Sequence, residues 1–568
     1  MVSRRRPCAD EHAGLPPRRA RLWSAMTRSD PSADPRQAGR ALKQGAVLSV
    51  LTGVTLVGAA AYQFVVAALF GTGVGVDVYL GVLAVPTLLV GGATHVFNVS
   101  VLPEVVRARE QVHASGPPLP RAGEDGPLVR TWITVALLVA ALLGAVGALA
   151  APWVVRVALP GFPAAQAPLA TRLFQITLIG LLLQGISQIL GSIQNARHRF
   201  FVPAAAGALY LGANFAALLL LWRPLGAVSI AVGTLLGGAL SAGWLLGLEV
   251  HRYGYRPALR LDDEGVRAVG RAALPLVLTV YVGKSAPVLE WFFASQISLQ
   301  AVAYLGYAER LITYYTTFTA SGLVTTLFTL GATFAARDEW ARAAEVTVRA
   351  VRLITILCIP AVAAIVFLRA PLLSLLFERG AFSSRSAVGV GDALLGYSGV
   401  LIFASLGSVV SQVFYLRKQT HLAAAAALTQ PLVYLAIAPP LIRIGSYTGL
   451  AIASSGAWAV VVGLLYWLAS RRVPGLVTAG MLLHMLKVVL GSVGAGALTV
   501  MLLDTLSLDS QPLARGALVL ATFAGLAVFL LGRVLRLPEI AWVLARLGQM
   551  GAGLAARVSN RVQVVHSP

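Results

Sequence analysis

Charge is scarce in this chain: 12% of its 568 residues are Asp, Glu, Lys or Arg, against 57% hydrophobic ones. A water-soluble fold of this size has no use for such a balance. Acidic residues are scarcest, with 23 Asp and Glu against 45 Lys and Arg. Cysteine is nearly absent. Cys8 lies in a polar tail and Cys358 in an apolar run, which excludes a disulfide framework and any Cys-based metal spacing. The chain also lacks a Gly-rich phosphate cradle with its Lys, a metal-ligand cluster, and a nucleophile set beside a base. ATP-driven or covalent chemistry is therefore disfavoured and no cofactor is expected. Any work must draw on membrane potential, an H⁺ or Na⁺ gradient, or consumption of product. The net charge of +22 is not read as a nucleic-acid signature, because the Arg residues sit between apolar runs, where they set membrane topology.

Apolar runs are what the sequence has in abundance. A bilayer core of roughly 30 Å takes about 20 residues of helix, and inside it every backbone N–H and C=O must be paired within the segment. Fourteen candidate spans are centred near residues 57, 89, 141, 182, 211, 237, 284, 321, 359, 401, 431, 458, 491 and 525. Loops after the even-numbered spans carry Arg107, Arg109, Arg197, Arg199, Arg252, Arg256, Arg337, Arg342, Arg417, Lys418, Arg471 and Arg472. The positive-inside rule then places both termini in the cytoplasm of a multi-pass inner-membrane protein. One outer loop, with Arg369, Arg379 and Arg385, breaks the pattern. Residues 1–44 read as a disordered Arg-rich cytoplasmic tail and 538–568 as a C-terminal one. Met26 is a candidate true start, which N-terminal sequencing would check.

The chain also repeats itself. Tyr79-Leu80-Gly81 opens span two and Tyr304-Leu305-Gly306 opens span eight; Ala151-Pro152 after span three answers to Ala370-Pro371 after span nine. Six spans separate the copies, so both lie the same way up, as in two parallel six-helix lobes around a central cavity. The expected organisation is an all-α polytopic protein with an N-lobe at 45–250, a C-lobe at 251–472 and an appended helix pair at 473–537.

Several stretches resemble one family. Phe70-Gly71-Thr72-Gly73 with Asp77 and Tyr79 resembles the "FGAG…DAF" signature of MurJ/MviN proteins, and Pro86-Thr87-Leu88-Leu89 falls where they have "PNLL". "APWVVRVALPGF" (Ala151 to Phe162), "FQIT" (Phe174 to Thr177), "GSIQNARHRFFVPA" (Gly191 to Ala204), "YAERL" (Tyr307 to Leu311) and "LLFERGAF" (Leu375 to Phe382) are similar in wording, order and spacing. The resemblance implies the multidrug/oligosaccharidyl-lipid/polysaccharide exporter fold and a lipid flippase moving lipid II, an undecaprenyl-linked glycan lipid, for peptidoglycan synthesis. It also implies contacts with membrane lipids and with cell-wall synthesis proteins. The sequence departs from the family in lobe one, where Leu56, Tyr62, Val90 and Gly91 stand at positions that usually hold Arg, and His95 stands at an acidic one. Another polyprenyl-linked glycan is thus an alternative substrate, and a non-transporting scaffold an alternative role.

Flipping a lipid breaks no bond, so the candidates are polar groups at membrane depth. Lys284, near the middle of span seven, costs about 2.5 to 3.5 kcal/mol there unless it faces water or a partner. It is a pyrophosphate contact or one half of an ion pair. Glu290 is a candidate H⁺ or Na⁺ coupling site, or the partner of Arg310. Glu309 and Arg310 match the family's acidic-Arg pair in "YADRL", which implies a substrate contact. Asp77 is either a substrate-site residue or the cap of span two. His95, Asn98, Gln184 and Gln188 are candidate contacts to sugar or peptide groups, or hydrogen bonds between helices. Glu378, Arg379 and Gly380 form a gate or a structural turn. His484 and Lys487 in span thirteen line a groove for the lipid tail, unless Lys487 simply snorkels to the interface.

Overall fold

The computed structural model describes residues 53, 55–107, 127–260, 262, 264–473, 476, 479–506 and 512–537. Both tails, Met26 and Arg109 lie outside them. Within the described residues the chain is helical almost throughout, as backbone confined to lipid must be. Lobe one holds α1 (Thr55–Phe70), α2 (Val74–Arg107), α3 (Pro127–Ala158), α4 (Ala167–Ala196), α5 (Phe201–Leu225) and α6 (Val228–Tyr253). Lobe two begins with α7, in two halves α7a (Glu264–Gly283) and α7b (Ala286–Ile297), then α8 (Ala301–Ala336), α9 (Trp340–Phe377) and α10 (Ser384–Leu416). The next helical run, Thr420–Ser470, is really two segments, because Ser446 has φ 54° and ψ −131°. There the chain doubles back: Gly449 lies against Leu441 and Gly456 against Ile437. These segments are α11 (420–445) and α12 (447–470). Finally, α13 (Ala479–Leu506) and α14 (Pro512–Phe529) pack on α9 and on each other. Eleven of the described helical runs are long and apolar enough to cross a membrane. The all-α polytopic architecture is as expected.

Two helices are broken by recognisable chemistry. Pro287 opens α7b without an N–H to give, and Lys284 and Ser285 form the gap before it. In α9, Pro371 removes the bond to a carbonyl four residues back; Leu368 leaves helical geometry there (φ −125°, ψ 19°) and Arg369 donates to Val366 O at 3.4 Å. Arg369 therefore lies in α9 rather than in the outer loop where the sequence placed it, with Asp392 Oδ1 3.8 Å from its Nε.

The repeat extends to the backbone. Gly226 (φ 55°, ψ −137°) joins α5 to α6 as Ser446 joins α11 to α12, and His198 (φ 58°) joins α4 to α5 as Lys418 (φ 57°) joins α10 to α11. Each pair is about 220 residues apart. The copies also touch, since a Cβ on Gly306 would meet Leu80 at 2.9 Å. One end of the bundle, the turn face, gathers the connections at 71–73, 159–163, 226–227, 298–300, 378–383 and 446. The opposite, basic face gathers those at 197–200, 254–260, 337–339 and 417–419. On it Arg197 grips buried Glu249 through two nitrogens (2.6 and 3.0 Å), with its guanidinium 3.9 Å above the Tyr253 ring. At the matching place in lobe two, Arg417 lies 4.5 Å above Trp340.

Ser446 holds a conformation that side chains resist and glycine does not, as Gly226 shows at the matching turn. Ser446→Gly is expected to raise stability by about 1 kcal/mol and Gly226→Ser to lower it by a similar amount. Thermal unfolding in detergent, read by circular dichroism, checks both signs.

Candidate functional site

Lobe one holds a half-open cavity of about 480 Å³ whose lining mixes apolar side chains with hydrogen-bonding groups and carries no charge. Six of the sixteen lining residues form a single stripe of α4, Gln184, Ser187, Gln188, Gly191, Ser192 and Asn195, at the three- and four-residue spacing that shares a helix face. From Gln184 to Asn195 the stripe runs about 16 Å, half the bilayer core, down to the basic face. Opposite it, Asn98 enters from α2 at a π-turn (Phe97–Val101), an interruption that turns neighbouring side chains to new directions. Thr55 and Ala59 of α1 and Tyr210 of α5 complete the deep end. The structure therefore brings together three of the candidates, Asn98, Gln184 and Gln188. Among the described residues, none of the side-chain amides of Asn98, Gln184, Gln188 and Asn195 makes a hydrogen bond, and the Asn98 Oδ1 is buried without a partner. Four unpartnered amides suit a ligand rich in hydroxyl or amide groups, because a polar atom taken from water must find another partner.

The acidic candidates sit elsewhere. Glu290 is buried inside lobe two, where Tyr397 donates to its Oε1 at 2.7 Å and Ser454 to its two oxygens at 3.2 and 3.1 Å. Its hydrogen-bond partners are these two hydroxyls and not Arg310. Arg310 instead crosses the lobe interface to donate to Gln63 of α1. Asp77 does not cap its own helix; its Oδ1 accepts from Ala303 N at 2.7 Å, which caps α8 from the other lobe. The sequence left Asp77 open between a substrate-site residue and the cap of span two; the helix it does cap was not visible there, because the partner is 226 residues away.

Asp77 belongs to a closure of the turn face. Tyr307 donates to Gly71 O at 2.9 Å, the hydroxyls of Thr72 and Ser386 meet at 2.8 Å, and Ala381 N donates to Ala68 O at 2.8 Å. Gly380, at φ 60°, lies so close to α1 that a Cβ would stand 2.3 Å from Ala68 O. Phe377 and Phe382 stack at 5.2 Å beneath Tyr307. The 378–383 loop is thus lodged against lobe one. Its Glu378 reaches Ser384, and Arg379 donates to Leu375 O at 2.7 Å. Lobe one answers in kind, with Gly161 against the backbone of Ser295.

Lys284 occupies the break in α7, with an exposed side chain that interacts electrostatically with His95 across the lobe interface. Just before it, Tyr281 donates to Leu89 O at 2.8 Å and its ring covers Gly92. His484 is buried in α13 with Nε2 3.4 Å from Arg352 O, and Lys487 is half-buried. Sequence reasoning missed Gln63, Ser187, Asn195, Tyr210, Tyr397 and Ser454. The polar periodicity of α4 was a usable signal for two of these. The others are single polar residues in apolar runs.

A two-lobed bundle of membrane-crossing helices, closed at one face and holding a polar cavity at membrane depth, defines a polytopic membrane transporter. Solved structures share the fold: "Lipid II flippase MurJ, inward closed conformation" (TM-score 0.68, 17% identity, 86% of this chain and 99% of that one) and an inward-facing multidrug resistance MATE family transporter of the MOP superfamily (TM-score 0.57, 15% identity, 73% and 94%). In sequence, a probable lipid II flippase MurJ of Bdellovibrio bacteriovorus is 28% identical over 58% of this chain, a match that spans 63% of that relative's length. One of Vibrio cholerae is 26% identical over 75% of this chain and 82% of its own. The profile of the family described as "Lipid II flippase MurJ" matches residues 66–509, and the chain belongs to that family.

Replacing Glu290 by Leu leaves the Tyr397 and Ser454 hydroxyls buried and unpaired, a loss of about 2 to 4 kcal/mol. Glu290→Gln keeps an acceptor and is expected to retain most of the stability. Unfolding midpoints of the two variants in the same detergent test this ordering.

Proposed function

We propose that this protein flips lipid II, carrying the undecaprenyl-pyrophosphate-linked precursor from the inner to the outer leaflet of the bacterial inner membrane by alternating access. The observation that carries the reading is the uncharged, amide-lined cavity in lobe one of a chain that belongs to this family. A saccharide and its peptide offer hydroxyls and amides to Asn98, Gln184, Gln188 and Asn195, while Lys284, with His95, faces the pyrophosphate. The basic face is cytoplasmic by the positive-inside rule, which puts both termini inside and the closed turn face outside. Glu290 is the coupling acid, taking up H⁺ or Na⁺ as lobe two rearranges; a charge moved across the membrane also gains about 2.3 kcal/mol per 100 mV of potential.

A specific observation favours a second reading, flipping of another polyprenyl-linked glycan. The lobe-one positions that carry Arg in the family hold Leu56, Tyr62, Val90 and Gly91 here, and the cavity lining is uncharged.

Conditional depletion of a host's lipid II flippase, complemented by this gene as wild type or Lys284→Ala, separates the two. Rescue of growth by wild type, with failure and accumulated lipid-linked precursor in an equally expressed Lys284→Ala, is the expected outcome. Correct membrane insertion without rescue would shift the substrate to another glycan lipid.

A further inference from the structure

The lobe-one cavity asks for more than an uncharged ligand. Three of its hydroxyls already donate to their own helices: Thr94 Oγ1 to Val90 O at 2.8 Å, Ser192 Oγ to Gln188 O at 3.0 Å and Ser241 Oγ to Gly238 O at 3.2 Å. Towards a ligand each therefore offers only lone pairs. Among the described residues the Asn98 Oδ1, another acceptor, is buried with no partner. Gln184, Gln188 and Asn195 add one acceptor and two N–H donors apiece. A group seated here must give hydrogen bonds as well as take them.

A carboxylate only accepts. Here it would leave those oxygens unanswered and bring a charge out of water with no cation in the lining to meet it. Arg197, two residues past Asn195, is already engaged: its guanidinium holds both oxygens of Glu249, at 2.6 and 3.0 Å, with side chains 7% and 1% exposed. Lys284 and Arg310 lie outside the lining. A carboxamide carries no charge, donates and accepts from one group, and pairs with a Gln or Asn side chain through two parallel bonds. The stripe from Gln184 to Asn195 is about 16 Å long, the reach of roughly four to five residues of extended peptide.

We propose that this cavity is the seat of the peptide portion of the lipid-linked substrate and a filter on its charge: it prefers a peptide whose acids are carboxamides and rejects the same peptide with free carboxylates. The preference lies in complementarity rather than in size, since the two forms have nearly the same shape; a site built to pair with donors discriminates strongly against an analogue that lacks them. Gln188, exposed in the middle of the stripe, sets the filter, because a cation at that place would answer the carboxylate that the amide cannot. This inference rests on the flippase reading for its ligand class, a polyprenyl-linked glycopeptide.

The test uses the full chain in detergent and three lipids that share one undecaprenyl-pyrophosphate disaccharide: one without peptide, one with a peptide bearing free carboxylates, and one with the same peptide as carboxamides. Dissociation constants are read by microscale thermophoresis. The carboxamide lipid is expected to bind about tenfold or more tightly than either of the others. Gln188→Lys is expected to reverse the order of the two peptide lipids by tightening the free-acid form, a gain that a folding defect does not produce. Equal binding of the two peptide lipids to the wild type, equal binding of the peptide-free and carboxamide lipids, or an unreversed order in Gln188→Lys overturns the proposal. The flippase reading fails separately: no binding of any of the three removes it and the seat together, and a carboxamide preference without growth rescue removes lipid II flipping while the seat stands.

Discussion

Hydrocarbon offers a backbone N–H or C=O nothing to bond to, and nearly every feature of this molecule follows from where that constraint is met or evaded. Helices meet it internally, so the described chain is helix from α1 to α14. Evasion occurs at a few places. The gap at Lys284 and Ser285, the kink at Leu368, and the π-turn around Asn98 each free backbone groups or redirect side chains at depth. Two of these three interruptions carry candidate site residues, which is what a transporter needs: irregular structure only where protein or water can satisfy it.

The lobes are joined through backbone as much as through side chains. Asp77 caps a helix of the other lobe, Ala381 N finds Ala68 O, and Gly380 and Gly161 approach backbone at distances that leave no room for a Cβ. Such contacts are all-or-none. A carbonyl bonded across an interface must find water when the interface parts, so closure is a discrete state rather than a graded one. The paired insertion of the 159–163 and 378–383 loops follows from the repeat, since two copies facing each other place the same loop on opposite partners.

Polarity is divided between the lobes. Lobe one offers amides and hydroxyls without charge in its cavity; lobe two holds Lys284, Arg310, Glu290 and Glu309. Unlike groups meet at the junction of the lobes: α7 and α8 bring Lys284 and Arg310 there from lobe two, facing His95 and Gln63 of lobe one.

Composition and periodicity alone determined that this chain is a many-helix membrane protein, because lipid accepts almost no other architecture and Arg placement records its loops. Motif wording determined the family, and the offset between Tyr79-Leu80-Gly81 and Tyr304-Leu305-Gly306 determined the repeat. The polar face of α4 was legible too, since helical spacing alone aligns Gln184, Gln188 and Asn195. Pairings between distant segments were decided only by tertiary structure: Asp77 with Ala303, Arg310 with Gln63, Glu290 with Tyr397 and Ser454. The physical reason is that a hydrogen bond depends on a separation of about 3 Å between atoms, while local sequence pattern encodes only the direction a side chain leaves its own helix.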